Sequence, residues 1–204
     1  MGSVDFKSIR AALRREVRVV IAALAVALAS VLASPSAGLA QRPGALRYPC
    51  RGADLRPTRT NLAAIDTATA CLIDRARAAA RLHALHVNPS LQRVAARQSH
   101  EMVLGDYFGD DSRSGQTPLQ RIVATRYLRH AAQFSTAQNI GWGTDAQATP
   151  AAIVAAWMHS PPHREIILTE EFRDIGVGAS PVVPTALAAG RAGATYTVEF
   201  GVRQ

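Results

Sequence analysis

Apolar side chains follow three patterns along this chain, and each predicts a different kind of segment. Val19 to Ala33 is a continuous apolar run broken only by Ser30. From Asn61 the apolar positions keep a three-to-four spacing: Leu62, Ile65, Ala68, Cys71 or Leu72, Ala76 and Ala79. That spacing predicts an amphipathic helix to about Leu85, capped by Thr60 or Asn61. Asn88-Pro89 opens a second helix, with Asn as cap and Pro at the first helical position; Leu91, Val94, Ala95, Met102 and Gln98 form its inner face, and it ends near Gly105. Thr117-Pro118 repeats that signature for a short helix through Ala124, and Thr149-Pro150 repeats it before Ile153, Val154 and Trp157. Ser160-Pro161-Pro162 should break this helix and cap one further turn, His163 to Leu168. Beyond it the period becomes two. Ile175 to Ala179 and Thr195 to Val202 alternate as strands, separated by an alanine- and glycine-rich segment from Pro181 to Gly193 that is expected to be a mobile loop. Helices first and strands last is the α+β pattern.

The apolar run has the surroundings of an export signal. Lys7, Arg10, Arg14, Arg15 and Arg18 precede it, and Gly38 and Ala40 occupy the −3 and −1 positions of a cleavage site before Gln41. Fifteen residues is short for a membrane span, so residues 1–40 are expected to be a secretory signal peptide, with an uncleaved N-terminal anchor as the alternative. Residues 41–59, carrying Pro43, Pro49 and Pro57, are expected to be an extended arm, and residues 60–204 the folded domain. The formal charge of +8 falls to +5 without the first forty residues. The remaining arginines are scattered and no aromatic residues interleave with them, so nucleic acid is not an expected partner. Membrane contact is expected only through the signal segment, and the protein is expected to be a secreted monomer, with a place in the cell envelope open. In an exported chain the cysteine pair Cys50 and Cys71 should form a disulfide, closing a loop of about 20 residues for roughly 3 kcal/mol. With 48% hydrophobic and 19% charged residues, wholesale disorder is excluded; two cysteines exclude a cysteine-built zinc module or an iron–sulfur protein.

Common catalytic motifs are missing: there is no G-x-S-x-G elbow, P-loop or G-x-G-x-x-G. The histidines are His83, His86, His100, His130, His159 and His163. His83 and His86 fall in the expected last turn of the first helix, without a third ligand nearby. His159 and His163 have the spacing of a zinc-binding helical pair, but the two prolines between them should keep the rings off one face. Trp157 and Phe200 are expected in the core, Trp142 in the core or on a cleft wall, and Arg164 in a structural ion pair.

An ordered set of short motifs is more specific. Tyr107-Phe108, Ala137-Gln138-Asn139-Ile140, Trp157-Met158-His159-Ser160, His163-Arg164-Glu165-Ile166-Ile167-Leu168, Ile175-Gly176-Val177-Gly178 and Phe200-Gly201 follow one another from about Thr67 to Val202. Together they resemble the CAP superfamily of cysteine-rich secretory, antigen 5 and pathogenesis-related proteins, in its compact bacterial form. The resemblance implies an α-β-α sandwich, with helices on both faces of a small antiparallel sheet and a shallow cleft on one side. Many members hold two histidines and two acidic residues in that cleft, a set able to bind a divalent cation. Here the first histidine falls at Asp110, the glutamate of the Gly-Glu-Asn motif at Gln138, and the second acidic position at or near Ser160; only His163 is kept. One imidazole, one carboxylate, an amide and a hydroxyl make a poor zinc site, and Gln138 is no general base. The resemblance therefore implies Asp110, Gln138, Ser160 and His163 as cleft residues, with no metal or cofactor expected. Three functions stay open. The leading one is a non-enzymatic module for an extracellular ligand such as a lipid or cell-wall component. The others are a metal-assisted hydrolase using His163 and Asp110, and a stable envelope protein with a vestigial cleft.

Overall fold

The computed structural model describes residues 49–204. The expected signal peptide, its cleavage before Gln41 and the first part of the arm lie outside the described residues. In the described part of the arm, turns interrupt the expected extended course. Residues 51–54 form turns around Gly52, whose φ of +84° is left-handed. The Cys50–Cys71 disulfide, with Cα atoms 5.7 Å apart, fastens these turns to the first helix, α1 (Leu62–Ala79), as expected.

Helix α1 stops short of the expected Leu85. Arg81 takes a left-handed φ of +64°, and the Leu82 N–H reaches back to Arg77 O at 2.9 Å, closing the helix end. The reason lies in Arg77, which is fully buried. Its guanidinium donates to His83 O at 2.9 Å, to Ile167 O and Thr169 O at 2.8 Å each, and more weakly to Phe172 O. Three chain segments are thus drawn together on one side chain, and the residues after Ala79 turn to supply a carbonyl instead of continuing the helix. His86 consequently lies in a short strand, β1 (His86–Val87), not in a helix beside His83. At the other end, Asn61 sits at the cap position but its side chain faces backwards, accepting from the Thr58 N–H and donating to Arg56 O.

The remaining helix starts follow the Thr/Asn-Pro signatures. Asn88 Oδ1 caps α2 (Pro89–Leu104), Thr117 and Gln120 form a reciprocal capping box on α3 (Pro118–Val123), and Thr149 caps α4 (Pro150–His159). Helix α5 (Pro161–Ile167) begins at the two prolines, slightly earlier than expected.

Two expected strands are present, β3 (Asp174–Ser180) and β4 (Gly193–Arg203); the loop between them carries one helical turn, α6 (Thr185–Ala188). A third long strand, β2 (Phe134–Thr144), was not predicted by alternation, because its exposure does not alternate. The sheet order is β1-β3-β4-β2. Strands β2–β4 and β3–β4 pair antiparallel, whereas β1 joins β3 in parallel, so the sheet is mixed and not purely antiparallel.

Helix α2 lies very close on one face of the sheet. A Cβ at Gly176 would collide with the Leu91–Gln92 backbone, and one at Gly178 with Ala95–Ala96, so the Ile-Gly-Val-Gly motif is a contact surface for that helix. On the other face α1, α4 and α5 cover Ile175, Val177, Val198 and Phe200. Trp157 is in this core, its indole donating to Ile140 O at 2.9 Å, and Phe200 stacks on Phe172. Trp142 is exposed, which rules out the core and leaves the cleft-wall alternative. Arg164 is also exposed and makes no ion pair among the described residues. Among those residues no helix is long and apolar enough to cross a membrane.

Candidate functional site

Chain order places the four candidate residues around β2, an edge strand of the sheet. Asp110 lies in the loop after α2, and its position is fixed through its own backbone. Its carbonyl accepts from Arg121 Nη2 at 2.7 Å and, at 3.4 Å, from Gln98 Nε2, which also reaches Gly109 O at 3.0 Å. The exposed Asp110 carboxylate accepts from Gln138 Nε2 at 3.1 Å, and Gln138 Oε1 accepts from Arg121 Nη2 at 2.9 Å. The orientation of the Gln138 amide follows directly. A guanidinium only donates and a carboxylate only accepts, so the amide must turn its oxygen to Arg121 and its nitrogen to Asp110. Glutamate could satisfy Arg121 at this position but would set a second negative charge against Asp110.

Ser160 and His163 form the second pair. Ser160 ends α4 and begins α5, where its hydroxyl would ordinarily cap the backbone. Pro161 and Pro162 remove the first two N–H groups of α5, and the hydroxyl instead meets His163 Nδ1 at 2.7 Å. The neighbouring Asn139 donates to the backbone oxygen of His163 at 3.0 Å.

The four residues therefore come together as two pairs rather than one cluster. Successive strand residues point to opposite faces. Gln138 reaches Asp110 and Arg121 on the α2–α3 side, while Asn139 reaches His163 on the α4–α5 side. The two pairs share only the edge of β2, and among the described residues no hydrogen bond joins them directly.

Two further polar residues belong to the first pair and were not anticipated from sequence. Arg121 is nearly buried, at 5% exposure, and joins Asp110 to Gln138. Glu199 is opposite Gln138 in the β2–β4 register and fully buried, with neither carboxylate oxygen hydrogen-bonded. Burial pushes its pKa up to about 8; the Arg121 charge opposes that rise and Asp110 adds to it. The signal was present in Thr197-Val198-Glu199-Phe200, where alternation puts Glu199 on the face opposite the core. That face is covered by α2, not by water.

The donor set does not suit the family's cation. Gln138 Oε1 is engaged by a guanidinium, His163 Nδ1 by a hydroxyl, and the single candidate carboxylate by an amide. Among the described residues no three His, Cys, Asp or Glu side chains converge as metal ligands.

Residues 72–182 match the model of the CAP, or cysteine-rich secretory protein, family. The chain belongs to the CAP family. It is 33% identical over 98 residues to the uncharacterized protein YkwD of Bacillus subtilis; that stretch is 48% of this chain but only 35% of the relative, so the chain spans about a third of that protein. Two solved structures share the fold, each at 22% identity. One is an outer surface protein of Borrelia burgdorferi (TM-score 0.52, 66% of this chain and 90% of that one). The other is an extracellular SCP-domain protein of Bacillus anthracis (TM-score 0.53, 72% and 44%). The CAP α+β sandwich is the fold of this chain.

Proposed function

We propose that this CAP protein is secreted and acts as a non-enzymatic module that binds an extracellular or envelope ligand at the β2 edge, between Asp110–Gln138 and Ser160–His163. The observation that carries this reading is the Gln138 amide, held between the Asp110 carboxylate and the Arg121 guanidinium. An amide so held neither abstracts a proton nor binds a cation well, but it fixes a rigid row of polar groups of the kind that orients a ligand. Export is supported by the signal-like first forty residues. It is also supported by the two solved relatives, one an outer surface protein and the other an extracellular protein. The alternative, a metal-assisted hydrolase, needs His163 and Asp110 to act on one bond, whereas their hydrogen bonds commit them to different partners on either side of β2.

Immobilised protein exposed to separated lipid and cell-wall fractions tests the proposal. Enrichment of one fraction by the parent, lost in Gln138→Ala and His163→Ala, is expected. Equal retention by parent and both variants would contradict it.

A further inference from the structure

A second feature lies outside the β2-edge cleft, sharing only Arg121 with it. Between α2 and α3 runs a groove of about 400 Å³, lined by Arg93, Arg97, Arg121 and Arg126, with Val94 and Ala124 as its apolar part. Arg93 and Arg97 are four residues apart on α2 and so project from the same face; Arg121 comes from α3, and Arg126 follows that helix. Among the described residues the ion pairs are Arg191–Asp145 and Arg203–Asp174, so none of the four groove arginines is held in an ion pair. Like charges converging on one concavity repel one another, and an anion between them removes that repulsion.

The groove also holds a fixed charge. Arg121 is nearly buried, and its Nη atoms are fixed by Gln116 O, Asp110 O and Gln138 Oε1, while its buried Nε has no hydrogen-bond partner. That nitrogen is closed to solvent, so what Arg121 gives the groove is a fixed positive charge beside the three mobile ones. A single carboxylate engages one or two guanidinium forks. A tetrahedral phosphate presents more acceptor oxygens in more directions and suits several forks at once.

We propose that this α2–α3 groove binds a phosphate group, either free or as the headgroup of an anionic lipid. The proposal does not depend on the cleft being a ligand site. The protein is titrated calorimetrically with inorganic phosphate at fixed ionic strength. In parallel, it is cosedimented with phosphatidylglycerol or phosphatidylcholine vesicles. Arg93→Gln/Arg97→Gln alters two exposed groove positions; Arg56→Gln/Arg59→Gln removes the same charge from exposed positions outside the groove. The expected result is saturable binding, weakened roughly tenfold or more in the groove variant and unchanged in the control. Saturation by inorganic phosphate identifies a free phosphate ligand. Binding to phosphatidylglycerol vesicles alone, with the same variant pattern, identifies a lipid headgroup. No saturable binding in either arm, equal losses in both variants, or acetate binding as tightly as phosphate would overturn the proposal.

Discussion

Replacing Glu199 by glutamine should make the protein more stable at neutral pH and leave it unchanged near pH 4. The side chain is fully buried and neither oxygen is hydrogen-bonded, so the charged form is disfavoured and the folded state holds the proton up to about pH 8. The unfolded chain releases it near the ordinary 4.5. Between these values the native state binds more protons than the unfolded one, so stability falls as pH rises, by about 1.4 kcal/mol per pH unit for one such group. From pH 4.5 to 7 the loss is about 3 kcal/mol, and it levels off above pH 8. Glutamine has nearly the shape of the protonated acid and does not ionise. Urea unfolding of parent and Glu199→Gln at pH 5, 6, 7 and 8 should give a stability difference that widens with pH in favour of the variant. Asp66, whose burial raises it to about 7, pulls stability the same way in both proteins and cancels in the difference. A pH-independent difference, or a parent more stable than the variant at pH 8, would show that Glu199 is charged and paired with Arg121, refuting the argument from burial.

Other substitutions probe the frame that positions the site. Arg77→Met should cost at least about 3 kcal/mol, because it orphans carbonyls of three segments at once; a thermal midpoint lower by roughly 10 °C is expected. Removing the disulfide as Cys50→Ala/Cys71→Ala should lower the denaturation free energy by about 3 kcal/mol, the loop-closure value for this spacing. Gly178→Ala should destabilise by roughly 1–3 kcal/mol or more by forcing α2 off β3, whereas Gly109→Ala, whose Cβ meets nothing closer than 3.9 Å, should be near neutral in the same melts.

Where sequence and structure agree, the signals were local. Asn88-Pro89, Thr117-Pro118 and Thr149-Pro150 each combine a capping side chain with a residue that cannot donate, and each starts a helix where expected. Strands β3 and β4 alternate because opposite faces meet different layers. What escaped was set at a distance. Helix α1 ends early because a buried Arg77 recruits carbonyls from residues far along the chain. Strand β2 is an edge strand whose partly exposed residues carry no period. In the site, the four candidate positions could be read from motif order, but their division into two pairs could not. That division follows from β2 alternation, which sends Gln138 and Asn139 to opposite sides. Arg121 and Glu199 escaped for another reason: alternation gives the face of Glu199, but neither residue resembles a core residue until α2 and α3 close over it.

With its amide held between Asp110 and Arg121, Gln138 leaves this CAP cleft unsuited to a metal, and calorimetric titration with zinc reads that out. The parent should show no stoichiometric uptake at micromolar zinc, and Gln138→Glu should bind measurably more tightly by adding an anionic ligand beside Asp110. Stoichiometric, tight zinc binding by the parent that is abolished in His163→Ala would contradict the account and favour the metal-assisted hydrolase.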